Sequence, residues 1–84
     1  MTPPPMKVKA HYSCRPGIEA TPMRDQHRLR SGLKQIFACK SPSFFYDRVR
    51  DYANIPYETK LRIDALFNEV AGLSPEEIWR VWYD

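Results

Sequence analysis

The sequence predicts an all-α fold: a compact four-helix domain over 21–84 with a helix-turn-helix-like central pair, preceded by an extended, flexible basic arm over 1–20. Three observations carry that expectation. Hydroxyl-proline pairs stand at Thr21-Pro22, Ser41-Pro42 and Ser74-Pro75, and a related start stands at Asn54-Ile55-Pro56. Between these points apolar side chains recur at helical spacing. The third is a hydrophobic content of 43%, with two Trp, five Tyr and four Phe, too rich for a disordered chain. Aromatic side chains bury much area each, which lets a short chain build a core.

The element boundaries follow from the punctuation. A hydroxyl accepts from a free backbone N–H at a helix start, and proline loses nothing at the first helical position. The first helix is expected over 22–38, with Leu29, Leu33, Ile36 and Phe37 on one face and Arg24, Arg28, Arg30 and Lys34 elsewhere. A second, over 42–52, buries Phe45, Val49 and Tyr52. The third, over 56–71, carries Ile63, Leu66, Phe67 and Val70 on one stripe, with Glu58 favouring the helix dipole in its first turn. Gly72 supplies the left-handed stop, and Leu73 folds back on the last turn. Ser74-Pro75-Glu76-Glu77 reads as a capping box opening a fourth helix over 75–82, which offers Ile78, Trp79 and Trp82 to the core. In the arm, the alternation from Lys7 to Tyr12 has the pattern of an edge strand but no obvious partner.

Net charge is +3, and its distribution is uneven: residues 1–20 sum to +2, 21–50 to +5 and 51–84 to −4. Such segregation points to a polyanionic partner or to ordinary solvated faces. No apolar run approaches the ~20 residues of a membrane span. Met1-Thr2-Pro3-Pro4-Pro5 lacks the apolar centre of a signal peptide, so a cytoplasmic location is expected. Cys14 and Cys39 are then expected as free thiols rather than a bridge.

Chemistry finds little footing. His11, Cys14, His27 and Cys39 offer donors for a metal, but His27 and Cys39 are too far apart to complete the half-site begun by His11 and Cys14. Three scattered glycines form no phosphate loop, and no histidine is placed to act as a base for Cys39. A non-enzymatic protein without metal or cofactor is expected.

The remaining signal runs from Leu33 to Arg50: a helix, a turn of about four residues, then a short helix opening Ser41-Pro42-Ser43. That is the layout of a helix-turn-helix, whose second helix enters the major groove. Phe45 and Val49 would anchor it, leaving Ser41, Ser43, Phe44, Asp47 and Arg48 outward, with Lys34, Lys40 and Arg50 suited to phosphate oxygens. Taken with Ile55-Pro56-Tyr57-Glu58-Thr59 and Leu73-Ser74-Pro75-Glu76-Glu77-Ile78-Trp79, this order of elements over 27–79 resembles the small phage-repressor regulators of the Cro-like class. Its Ile78-Trp79 close is similar to that of the Ner-type regulators. The resemblance implies a phage- or prophage-like DNA-binding transcriptional regulator. Such regulators place a glycine in the turn and a helix before the reading pair. Here Ala38-Cys39 and the arm occupy those places, so a turn of another shape is expected.

Two partners therefore stand open. For double-stranded DNA, the arm's Lys7, Lys9 and Arg15 would follow the backbone or minor groove, and Trp79, Trp82 and Tyr83 are candidate contacts of a homodimer. For a protein partner, as in a small adaptor or inhibitor, Phe44, Tyr46, Tyr57 and the Trp-rich end would be the anchors.

Overall fold

The computed structural model describes residues 9–38 and 40–83. Among them run β1 (Ala10–Ser13), α1 (Arg15–Ala20), a 3-10 turn (Met23–Asp25), α2 (Gln26–Phe37), α3 (Pro42–Arg50), β2 (Tyr52–Ala53), α4 (Tyr57–Ala71), α5 (Pro75–Ile78) and β3 (Arg80–Tyr83). The three strands form an antiparallel sheet in the order β2-β1-β3. The all-α, four-helix expectation is thus overturned: five helices pack with a sheet, and the residues read as an arm supply its central strand and first helix.

Pairing explains why the strand forms. Opposite β1, His11 and Tyr12 face Ala53 and Tyr52 on one side. On the other side the four residues of β1 face Tyr83, Trp82, Val81 and Arg80 in turn. Asn54, in the left-handed region at φ 52°, closes the β2 edge: its N–H donates to Ala10 O at 2.8 Å, and its Oδ1 accepts from Ala10 N–H at 3.3 Å. At the other end of β1, the Ser13 hydroxyl donates to Val49 O at 2.9 Å, tying the sheet to α3.

The core joins Cys14, Ile18, Leu29, Leu33, Phe37, Phe45, Val49, Ile63, Phe67 and Ile78. All but Cys14 and Ile18 lie on the stripes expected from spacing. Those two arrive with α1, which fits because Gly17 has no side chain: a Cβ there would stand 2.8 Å from the Phe67 ring and 3.0 Å from the Ile78 backbone. Thr21 caps the end of α1 rather than the start of α2, its hydroxyl donating to Gly17 O at 2.8 Å. The 3-10 turn then leads into α2, and Gln26 Nε2 donates back to Ile18 O and Thr21 O.

The Ser41 and Ser74 starts form where capping chemistry places them, whereas α4 opens at Tyr57 after Pro56 with no side-chain cap. Ser41 Oγ accepts from Phe44 N–H at 3.3 Å, and Glu77 Oε2 accepts from Ser74 N–H at 3.0 Å. At the end of α4, Gly72 is left-handed at φ 67°, and the N–H groups of Gly72 and Leu73 donate to Asn68 O and Phe67 O. The fourth expected helix is shorter than its pattern. It stops at Ile78, Trp79 turns extended at φ −105°, ψ 139°, and Arg80–Tyr83 pair as β3. Residues rich in β-branched and aromatic side chains favour a strand once a partner satisfies their backbone groups.

Candidate functional site

The α2–α3 link spans four residues, 38–41, between helices that end at Phe37 and begin at Pro42. Ala38 holds the left-handed conformation at φ 52°, ψ 45°. Ala38 thus takes the left-handed conformation that its side chain was expected to avoid, and its N–H donates to the Gln35 and Lys34 carbonyls. A short helix, α1, also stands before the pair, where an arm was expected.

Around the link, Lys34, Lys40, Ser41 and Pro42 line one shallow hollow. Lys34 Nζ lies 5.7 Å from the Phe45 ring centre, while its flank is exposed. Lys40 and Ser43 are exposed as well. The Ser41 oxygen already caps α3, so its contribution to a ligand is limited by that bond.

Along α3 the outward residues separate into two sides, because residues two apart lie roughly 200° apart round a helix. Phe44 and Arg48 share one side: the Arg48 guanidinium sits 5.0 Å from the Phe44 ring and 4.4 Å from the Tyr52 ring, half-buried between them. Tyr46 and Arg50 share the other, where the Tyr46 ring meets Phe45 edge-on at 5.5 Å. Asp47 accepts from Arg50 at 3.0 Å on the exposed face. Phe44 and Tyr46, 37% and 57% exposed, therefore do not merge into one apolar patch.

Lys7, like Cys39, lies outside the described residues. Lys9 is exposed just before β1. Arg15 opens α1 and pairs with Glu19 at 3.0 Å. Trp79 and Trp82 are engaged within the chain: the Trp79 indole donates to Asp64 Oδ1 and meets Tyr12 edge-on, and Trp82 stacks on His11. Of the three candidate dimer residues, Tyr83 alone is exposed, and Trp79 and Trp82 are half-buried.

Of the candidate metal donors, His11 Nδ1–H donates to the Asp51 carboxylate at 2.9 and 3.1 Å. Cys14 is a free, buried thiol, and burial pushes its pKa up to about 12. A thiol held protonated in a core is neither nucleophile nor ligand at neutral pH. No group of three or more His, Cys, Asp or Glu side chains among the described residues is arranged to hold a metal ion.

Beside this face lie residues that sequence reasoning did not single out as a site. Arg30 on α2 and Arg80 on β3 join Arg15 and Arg50 along two adjoining clefts. These four arginines are separated by 15 or more residues in the chain, so no motif could have signalled their approach. No helix among the described residues is long and apolar enough to cross a membrane. Compared with protein-family models, curated proteins and solved structures, the chain matches none.

Proposed function

We propose that the protein is a small, non-enzymatic DNA-binding regulator of the helix-turn-helix kind, working in the cytoplasm, with α3 and the link before it as its DNA-facing surface. The observation that carries this reading is the hollow where Lys34, Lys40 and Ser41 converge at the exposed start of α3, beside Ser43. Two ammonium groups there suit phosphate oxygens, and the first turn of α3 presents short polar side chains that fit near base edges. Charge agrees with that assignment, since the segment containing α2 and α3 holds the excess of cations. The Phe44, Asp47 and Arg48 side chains continue the face along the helix.

An electrophoretic mobility-shift series with duplex DNA at rising salt tests it. Binding should be strongest at low salt and fall steeply, because each neutralised phosphate releases counterions. Absence of a shift at low salt defeats the reading.

A protein partner is the second reading, favoured by one observation. Tyr57 and Leu61 lie one turn apart on α4, both exposed, and neither lines the cationic hollow. Capture of a partner from nuclease-treated lysate, lost in Tyr57→Ala, would favour it over DNA.

A further inference from the structure

Next to α3 the surface falls into two clefts that share Arg15, Glu19 and Arg50. The first lies between α1, the end of α3 and β3, and reaches Arg80 and Trp82. The second continues past Phe45 to Arg30 and Tyr46. We infer that this joined cleft, framed by Arg15, Arg50 and Arg80 with Trp82 as a wall, is a phosphate-binding site that carries a DNA backbone alongside α3. The source of the phosphate rests on the DNA reading; the phosphate chemistry does not.

Three features support it. First, guanidinium groups from a helix start, a helix end and a strand converge on one concave surface, and guanidinium forks match phosphate oxygens well. Acceptor oxygens facing several directions, as on a tetrahedral phosphate, suit three such forks better than the two in-plane oxygens of a carboxylate.

Second, the cations are available. The Arg15–Glu19 pair is 68% and 67% exposed and the Arg50–Asp47 pair 73% and 66%, so both are weak, solvent-screened contacts that a phosphate can displace. Arg80 has no carboxylate partner among the described residues; its guanidinium sits 5.7 Å from the Trp82 ring centre. Of the two carboxylates lining the first cleft, Asp51 already receives the His11 Nδ1–H.

Third, the cations are spread over both clefts. Arg30 extends the series beyond Arg50 into the second cleft. A groove with charges spaced along it matches a repeating anion rather than a single ion.

The test uses the whole chain and two probes. With inorganic pyrophosphate at low salt, the arginine Nε–H and Trp82 indole N–H resonances are followed by NMR. Saturable shifts in the millimolar range at Arg15, Arg50, Arg80 and Trp82, lost in Arg80→Ala and in Arg15→Gln, are expected. Absence of saturation there, or equal shifts at Arg62 on α4, which lines neither cleft, overturns the site. Melting curves of both variants confirm that they fold, and the pair guards against loss of β3 in one of them.

With duplex DNA, Arg80→Ala should weaken binding about three- to tenfold, equally for unrelated sequences, and reduce the salt slope by about one. Pyrophosphate saturation with unchanged duplex affinity in Arg80→Ala overturns the assignment to a DNA backbone. Pyrophosphate saturation in a protein that binds no duplex at all sinks the DNA reading and still supports the phosphate site.

Discussion

His11 lies flat on Trp82, their ring centres 5.3 Å apart and their planes 8° from parallel. The two residues are directly opposite in the β1–β3 register, so the stack fastens the first described strand to the last. The Asp51 carboxylate holds His11 in place, and Trp82 walls the arginine cleft. Sheet, helix α3 and candidate site are thus joined through one stacked pair.

Trp82→Ala should therefore destabilise the whole fold rather than only its end. The ring is half-buried and stacked, so a cost of about 1–3 kcal/mol is expected from lost area and lost stacking. Urea denaturation measures the cost, and amide exchange should speed up at the β1 backbone in parallel. Unchanged β1 protection would show that the sheet does not depend on the stack.

Ala38 and Gly72 both sit in the left-handed region, at φ 52° and 67°. Ala38→Gly should raise stability by up to about 1 kcal/mol, since relief of the left-handed cost exceeds the added freedom of the unfolded chain. Gly72→Ala should lower it by about 1 kcal/mol. A Cβ at Gly72 would meet nothing within 4 Å, so that loss is conformational strain without a clash. Opposite shifts in the urea midpoint are the expected pair of results.

Cys14 makes stability fall at high pH. Its folded pKa is raised by burial from 9.0 to about 12, so the unfolded chain loses the thiol proton first. The contribution is fully present below about pH 9 and declines by roughly 1.4 kcal/mol per pH unit as pH rises towards 12. Comparing wild type with Cys14→Ala between pH 8 and pH 10.5 isolates this slope from the titration of lysines and tyrosines, so those bounds should bracket about its onset. The native thiol should also resist a disulfide reagent at neutral pH, and rapid modification without unfolding would contradict its burial.

Arg48→Ala should affect both stability and binding. Loss of the contacts to Tyr52 and Phe44 should cost about 0.5–2 kcal/mol of folding free energy, as a partly buried guanidinium on aromatic faces implies. If Arg48 also reads a base, DNA binding falls by about 1–3 kcal/mol. Arg48→Lys separates the effects: a folded variant that still binds unrelated duplexes but no longer discriminates among them would assign Arg48 to base reading.

Much of the helical frame was legible in the chain. Ser41 and Ser74 cap the helices that follow them, Gly72 stops α4, and the stripe residues Leu29, Leu33, Phe45, Val49, Ile63 and Phe67 are buried. Each of those outcomes depends on residues within a turn or two of one another. The four-residue link to α3 and the exposure of Lys34, Lys40 and Ser43 were legible for the same reason.

The sheet was not. A two-residue strand at Tyr52–Ala53 has no periodicity to read, and Arg80–Tyr83 continues a helix-like pattern from Ser74. The alternation around His11 showed strand character without showing a partner. Thr21-Pro22 had the form of a helix start, yet Thr21 bonds backwards to Gly17, because the preceding residues fold into α1.

The sequence by itself determined where helices begin, where α4 stops and which faces turn inward, since caps, glycine and 3.6-residue spacing act over a few residues. Tertiary structure decided that the strand at Ala10–Ser13 lies between two others, that Arg80 and Trp82 leave the helix, and that four distant arginines line two adjoining clefts. Backbone groups in a strand find partners only across the fold. A sheet therefore depends on contacts some forty to seventy residues apart, as in the pairs of His11 with Ala53 and Trp82, which no local pattern encodes.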